Sequence, residues 1–321
     1  MAEPLMKIRG LKKYFRVGSG RKAPCLKAVD GIDLDIFPGE TVGLVGESGC
    51  GKSTLGRAVI KLHDPTEGVV EYKGQDISGF RSRQMRPLRK ELQFIFQDPY
   101  ASLDPRKTIF KLVKASLDAF EIGTEEERER KVEDMLRFVG LDDSQFHKYP
   151  HELSGGQRQR VVIARTMVLE PAFVVCDEPV SALDVSVRAQ VLNLMKDAQA
   201  RTGVSYLFVS HDMSVVRYMC DKVAVMYLGR LVEFGTKLDI FEDPLHPYTK
   251  ALLSAVPIPD VESKRERIIL TGDVPSPLRP PAGCRFSNRC PQARGECSGI
   301  SGDLIRVSDT HFVACPYAAR Q

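Results

Sequence analysis

From the start of the chain to about residue 235, short apolar runs alternate with stretches of helical periodicity. Thr41–Val45, Leu92–Phe96, Phe173–Cys176, Ser205–Val209 and Lys222–Tyr227 are rich in branched or aromatic residues and bounded by turn formers or charge. That is the pattern of strands buried on both faces of an α/β sheet. The first ~35 residues and Gly68–Ile77 predict instead an antiparallel β region, with turns at Gly31 and Gly74. Between residues 100 and 168 the strand signal disappears. Thr124-Glu125-Glu126-Glu127 reads as a capping box, hydroxyl and carboxylate each meeting a free backbone N–H. Val132, Met135, Leu136 and Val139 follow at i, i+3, i+4, i+7, Gly140 closes the helix, and Glu126/Arg130 and Glu127/Lys131 predict i,i+4 pairs on its wet face. The pattern predicts a helical subdomain, about residues 98–165, inserted into an α/β core.

Around Pro257 the composition changes. Pro257, Pro259, Pro275, Pro277, Pro280 and Pro281 mark a linker or irregular tail, so the expected organisation is a domain over residues 1–256 and a Pro/Cys-rich extension over 257–321. No internal repeat or low-complexity segment interrupts this plan. The 321 residues, 43% hydrophobic and 27% charged, are those of an ordinary globular protein. Net charge is +4 from 46 basic and 42 acidic residues, a balance that gives no warrant for nucleic-acid binding. Arg81, Arg83, Arg86, Arg89 and Lys90 read as a solvated face. No run approaches the ~18 apolar residues of a membrane span, and the first residues lack the apolar core of a signal peptide. A soluble chain is expected, one that needs membrane-spanning partners if it works at a membrane.

Chemistry enters at Gly46-Glu47-Ser48-Gly49-Cys50-Gly51-Lys52-Ser53-Thr54, which follows a predicted strand and opens a predicted helix. It fits the phosphate-loop pattern in the context that the pattern requires. Glycines let the backbone wrap a phosphate chain so that N–H groups and a helix N-terminus face the negative charge. Lys52 is expected on the β/γ oxygens and the Ser53 hydroxyl on Mg²⁺. Farther on, an apolar strand ends in Asp177-Glu178. Alone such a pair is more often a solvated turn. After a good phosphate loop, Asp177 suits Mg²⁺ and Glu178 suits a general base for the attacking water, worth ~10²–10⁴ in rate. Leu153-Ser154-Gly155-Gly156-Gln157 then precedes a helical run, and two glycines at a helix start leave N–H groups open to phosphate with Ser154 as an added donor.

With these three motifs the chain resembles the ATP-binding cassette (ABC) superfamily over residues ~5–256. The resemblance implies an α/β P-loop NTPase fold, a RecA-like core with an antiparallel β region and an inserted helical subdomain. It implies ATP with Mg²⁺ as cofactors and ATP hydrolysis as the reaction. Phe15, with Tyr14 as fallback, looks like the aromatic that stacks on adenine. Gln97 looks like the glutamine that touches Mg²⁺ or water, and His211 like the switch histidine on the γ-phosphate. Ser181-Ala182-Leu183-Asp184 looks like the loop that communicates between two cassettes. In this superfamily Ser154, Gly155, Gly156, Gln157 and Asp184 act in trans, so a second ATPase subunit, a paralogue or a copy of this chain, is implied.

The last stretch carries Cys284, Cys290, Cys297 and Cys315, while Cys25, Cys50, Cys176 and Cys220 are scattered. Four clustered thiols suit Zn²⁺ or an iron–sulfur cluster, and the C-x₂-C pairing usual for structural zinc is absent; merely reduced thiols stay open as a third reading. Cys176 and Cys220 read as small core fillers. Gly283-Cys284-Arg285-Phe286, Arg289-Cys290-Pro291 and Val313-Ala314-Cys315, with His246-Pro247-Tyr248-Thr249 upstream, resemble the C-terminal extension of dipeptide/oligopeptide permease ATPases. Some members of that family carry a [4Fe-4S] cluster there, and the resemblance implies the same four cysteines as ligands. It also implies an importer for dipeptides or oligopeptides, or for another solute such as nickel or a sugar. Its companions would be two membrane-spanning permease subunits and an extracytoplasmic solute-binding protein, with this chain peripheral on the cytoplasmic face of the inner membrane. Residues ~98–152 would hold the groove for a cytoplasmic helix of the permease. A non-transport ABC ATPase is the remote alternative, since those chains generally hold two cassettes or long insertions.

Overall fold

The computed structural model describes residues 3–20, 23–255 and 268–319. The expected boundary at residue 256/257, with Pro257 and Pro259, lies outside the described residues. The chain forms two compact units, one of residues 1–37, 41–79 and 208–321, the other of residues 38–40 and 80–207.

In the first unit an antiparallel sheet runs in the order Cys25–Ile36, Met6–Arg16, Glu67–Tyr72, Gln75–Asp76. Gly74 makes the expected turn, at φ +77°. Gly31 does not: it lies inside the strand Cys25–Ile36, where the register steps from Leu11↔Ile32 to Lys12↔Asp30 and leaves it unpaired. Its φ of +81° is that of a bulge residue, and the same side-chain freedom that suits a turn suits a bulge. The other strands of this unit run Ile305–Arg306, Phe312–Val313, Arg230–Thr236, Lys222–Tyr227 and Thr41–Val45. Only the last pair is parallel, in the register Val42↔Lys222 to Val45↔Val225. All five residues of Thr41–Val45 are buried, as a run with no polar face requires. The tail, expected to be irregular, therefore adds two short strands to the edge of Arg230–Thr236.

The second unit pairs Leu92–Ile95 parallel to Phe173–Asp177. The chain re-enters the first unit within Ser205–Val209, after Leu207. Helices Ile109–Ala119, Glu125–Phe138 and Gly155–Met167 fill the stretch without strands. Thr124 caps Glu125–Phe138 as the sequence predicts: its N–H donates to Glu127 Oε2 (2.8 Å), and its hydroxyl accepts from Glu127 N–H (3.3 Å). Val132, Leu136 and Val139 are buried, each such side chain contributing roughly 1.5–3 kcal/mol. The expected Glu127/Lys131 pairing gives way, because Glu127 serves the cap and Lys131 bonds Glu170 (2.8 Å). Arg81, Arg83, Arg86 and Lys90 are exposed, and Cys176 and Cys220 are buried in the core. Among the described residues no helix is long and apolar enough to cross a membrane.

Candidate functional site

The phosphate loop leaves the end of Thr41–Val45 and closes into the helix Lys52–Val59. Two of its glycines are required by close packing. A Cβ at Gly46 would stand 2.1 Å from Met226 O, and one at Gly51 would stand 2.0 Å from Ala28 O. Gly49 meets a different need, since it has φ +79° and open space where a side chain would be, a cradle that phosphate can approach. Ser48 and Gly49 are exposed at the tip, while Ser53 and Thr54 are half-buried in the first helical turn. Lys52 is buried, its Nζ donating to Gly46 O (2.7 Å) and Glu47 O (3.0 Å) across the loop. Burial pushes the Cys50 thiol up, against the nearby Lys52 charge, which favours the protonated thiol.

Ser210 N–H donates to Leu44 O (3.2 Å), which sets the segment after Ser205–Val209 beside the strand that feeds the loop. Asp212 caps Met213–Met219 by accepting from Ser214 and Val215 N–H (2.9 and 3.3 Å). His211 is exposed and, with Asp212, Met213 and Ser214, lines a cavity of about 480 Å³ that Gly46 also borders. Phe15 is half-buried, edge-on to His63 at 5.7 Å, with Lys13 5.1 Å over its ring. Tyr14, the fallback for adenine, is committed elsewhere, its hydroxyl donating to Asp30.

In the second unit Gln97 Nε2 donates to Glu178 Oε2 at 3.0 Å, so two of the candidate catalytic side chains meet. Asp177, next to Glu178, is buried at the end of its strand. Glu178 holds a left-handed backbone, φ +48°, with its carbonyl accepting from the Ser181 hydroxyl (3.1 Å). A non-glycine residue kept there costs about 1–2 kcal/mol, and such outliers gather at working sites. No sequence pattern announced this strain.

Ser154 caps the helix Gly155–Met167 in a box with Gln157: Ser154 N–H donates to Gln157 Oε1 (2.9 Å) and Gln157 N–H to the Ser154 hydroxyl (3.3 Å). That hydroxyl is used as an acceptor and keeps its own proton to donate. A Cβ at Gly156 would stand 2.3 Å from Val187 Cγ1, so the helix Val185–Thr202 demands that glycine. Asp184 caps Val185–Thr202 by accepting from Val187 N–H (2.9 Å) and from the Ser186 hydroxyl (2.8 Å), contacts that hold its carboxyl below the usual range.

The iron–sulfur expectation does not survive. Cys284, Cys290, Cys297 and Cys315 do line one small cavity, with Phe286 and His246 among its other walls. Among the described residues no group of three or more His, Cys, Asp or Glu is placed to hold a metal ion, so the geometry supports neither the iron–sulfur cluster nor zinc. Burial, with the neighbouring cysteines, raises the Cys284 and Cys290 thiols above their ordinary value. Cys297 Sγ accepts from Arg294 N–H (3.3 Å). Spacing in sequence carried no information on the space between the thiols.

Three pairs to which the sequence assigned no role form around the tail. Arg285 joins Asp30 and Leu228 O, Arg289 joins Glu47, and His311 Nε2 meets Glu233 Oε1 (2.8 Å). Arg285 and Arg289 stood in the sequence only as parts of the motifs around the cysteines, and His311 carried no signal.

Comparison with known proteins agrees with the geometry. The family model "ABC transporter" matches residues 29–181, which take in the phosphate loop, Gln97, Ser154–Gln157 and Asp177–Glu178. A second, "Oligopeptide/dipeptide transporter, C-terminal region", matches residues 232–297. The chain is 50% identical to the oligopeptide transport ATP-binding protein AppF of Bacillus subtilis, over 98% of this chain and 97% of that one. It is 49% identical to the dipeptide transport ATP-binding protein DppF of Haemophilus influenzae, over 97% and 96%. Among solved structures, the dimeric post-hydrolysis ATP-binding cassette MJ0796 bound to ADP and Pi matches with TM-score 0.66 and 27% identity, covering 72% of this chain and 98% of that one. A strand, a glycine-rich loop, a glycine-started helix and a strained glutamate in this order, in a chain matched nearly end to end, place it in the ABC transporter ATPases, among the oligopeptide and dipeptide transport ATP-binding proteins.

Proposed function

We propose that this protein is the ATP-hydrolysing subunit of an importer that carries dipeptides or oligopeptides across the cytoplasmic membrane. The observation that carries the reading is the nearly full-length identity to peptide-transport ATPases, extending through the tail that a bare cassette lacks. The working form is a pair of cassettes, this chain with a paralogue or with itself, on the cytoplasmic face of two membrane-spanning permease subunits. A solute-binding protein on the other side delivers the peptide. Residues 1–256 act as the ATPase domain, with residues 98–165 as its helical part, and residues 257–321 as the extension.

In that pair Lys52 and the N–H groups of Gly49–Thr54 take the triphosphate of one nucleotide, and Phe15 faces its base. Ser53, Gln97 and Asp177 offer the hydroxyl, amide and carboxylate oxygens that a hard cation prefers. A Mg²⁺ bound by them would supply charge neutralisation for the phosphates. Glu178, oriented by Gln97 Nε2 at 3.0 Å, takes a proton from the attacking water. His211 contacts the γ-phosphate, and Ser154, Gly155, Gly156 and Gln157, with Asp184 behind them, close over the nucleotide of the opposite subunit. ATP does work on the permease because the closed pair binds it better than the open pair.

The test is reconstitution of the chain with its copurifying membrane partners in liposomes. ATPase activity should rise with peptide and binding protein, and Glu178→Gln should lower turnover by about 10²-fold or more while trapping an ATP-filled dimer. Turnover of Glu178→Gln at the native rate would remove Glu178 from the mechanism. Stimulation by nickel or a sugar but not by peptide would move the chain to another importer.

A further inference from the structure

We propose that Arg289, carried by the C-terminal region, is a positioning residue for the phosphate loop, acting through Glu47. The inference rests on the nucleotide site described above and adds to it a residue from a segment that the cassette motifs do not include.

Glu47 is the second residue of the loop, and contacts from both sides hold it. Its carbonyl accepts from Lys52 Nζ (3.0 Å), and its N–H donates to the Tyr248 hydroxyl (2.8 Å). Its carboxylate accepts from Arg289 Nη1 at both oxygens (3.1 and 2.9 Å). The same Nη1 reaches the Tyr227 hydroxyl at 3.4 Å. Arg289 is only 9% exposed at its side chain, against 27% for Glu47. Burial works against the Arg289 charge, and its hydrogen bonds to Glu47 and Tyr227 more than offset it, holding the guanidinium above its ordinary range. Arg289 Nε is buried and, among the described residues, has no partner, a loss that the Glu47 contact must outweigh.

Arg289 is itself held in place. Its N–H donates to Phe286 O (2.9 Å), and Phe286 is buried against Tyr227 (5.3 Å), Tyr248 (5.3 Å) and His246 (5.7 Å). Arg285, on the other side of Phe286, binds Asp30 and Leu228 O. The turn over residues 284–290 is thus pinned at both ends before it reaches the loop.

Two consequences follow for a bound triphosphate. A carboxylate within the loop would repel the phosphates, and Arg289 both neutralises it and holds it aside. The pinned Glu47 also removes loop freedom that binding would otherwise have to order, which raises affinity. This makes Arg289 a positioning group that need not touch the nucleotide.

Full-length native protein, Arg289→Ala, Arg289→Lys, Glu47→Gln and the Arg289→Ala/Glu47→Gln pair are titrated with MgATP by calorimetry, each checked for a cooperative melt. Arg289→Ala should weaken MgATP by about fivefold or more, Arg289→Lys by less, and Arg289→Ala should add little once Glu47 is glutamine. Native-like affinity in Arg289→Ala, or an undiminished loss in the Glu47→Gln background, would overturn the inference. Should Arg289→Ala not fold, the Arg289→Lys and Glu47→Gln cycle decides on the same criterion. If the native chain bound no MgATP, the ATPase reading would fail first and separately.

Discussion

At the scale of single residues, the chain keeps several charges in its interior and satisfies them one by one. Glu233 is fully buried and accepts from Leu245 N–H (2.7 Å), His246 N–H (3.0 Å) and His311 Nε2 (2.8 Å). The two histidines diverge. Burial drives His246 down to about 4, so it is neutral at ordinary pH, and its Nδ1 accepts from Tyr248 N–H (3.1 Å). For His311 burial works in the same direction, but the hydrogen bond and charge of Glu233, with Asp239 and Asp243 nearby, raise it overall. A raised folded value means that protonated His311 stabilises the fold below the unfolded value of about 6.5, and that this contribution is lost as pH rises through the folded value. Melting midpoints measured from pH 5.5 to 9 should therefore fall more for the native chain than for His311→Gln across that window. Parallel curves for the two would exclude the ion pair as a pH-dependent element. None of this was legible in the sequence, where a lone His carries no statement of burial or partner. Lys52, Asp177 and Glu178 could be singled out as candidates because a motif and a position after a strand mark them locally.

At the scale of elements, two helix starts built alike separate stability from function. Thr124 and Ser154 each make a reciprocal box with the residue three positions on. Thr124 opens a helix with a solvated face, whereas Ser154 is followed by Gly155 and Gly156 and retains a hydroxyl proton to donate. Thr124→Ala and Ser154→Ala should each cost about 1 kcal/mol of stability. Only Ser154→Ala should also lower ATP turnover in the assembled complex, by roughly tenfold or more. Equal loss of turnover in both would reduce the signature serine to a cap. The Thr124 capping box and the apolar stripe at Val132, Met135, Leu136 and Val139 were readable because they are local, although Met135 is only half-buried; the box at Ser154 was not read, since its serine was taken as a phosphate donor. Gly31 was misplaced for the opposite reason: a positive φ is visible as a glycine, but whether it serves a turn or a bulge depends on the partner strand. The short strands Ile305–Arg306 and Phe312–Val313 were equally hidden, since they are completed by Arg230–Thr236 far away in sequence.

At the scale of the whole molecule, the C-terminal region does what an isolated tail of its composition could not. Among the described residues none are grouped to hold a metal there, yet Phe286, Val313, Ala314 and Ala318 are buried in the first unit. Solved cassettes such as MJ0796 correspond to only 72% of this chain, which suggests that the remainder could be removed without harm. The interior polar groups argue otherwise. Without residues 268–321, Asp30 loses Arg285, Glu47 loses Arg289 and Glu233 loses His311, although Asp30 keeps Tyr14 and Glu233 keeps two backbone donors. For Asp30 and Glu233, which are buried, loss of a partner typically costs about 3–5 kcal/mol, while partly exposed Glu47 contributes less, and an ordinary domain has only about 5–15 kcal/mol in total. A chain ending at residue 267 should therefore be aggregated or melt non-cooperatively when compared with the full chain by calorimetry and gel filtration. Adding Asp30→Asn, Glu47→Gln and Glu233→Gln should recover part of the cooperative transition, because neutral amides need the lost cations less. A truncated chain that melts within a few degrees of the native one would show that the tail merely rests on the cassette. The rescue separates the loss of charge partners from the loss of apolar cover, since the amides restore nothing to the surfaces that Phe286 and Val313 leave behind.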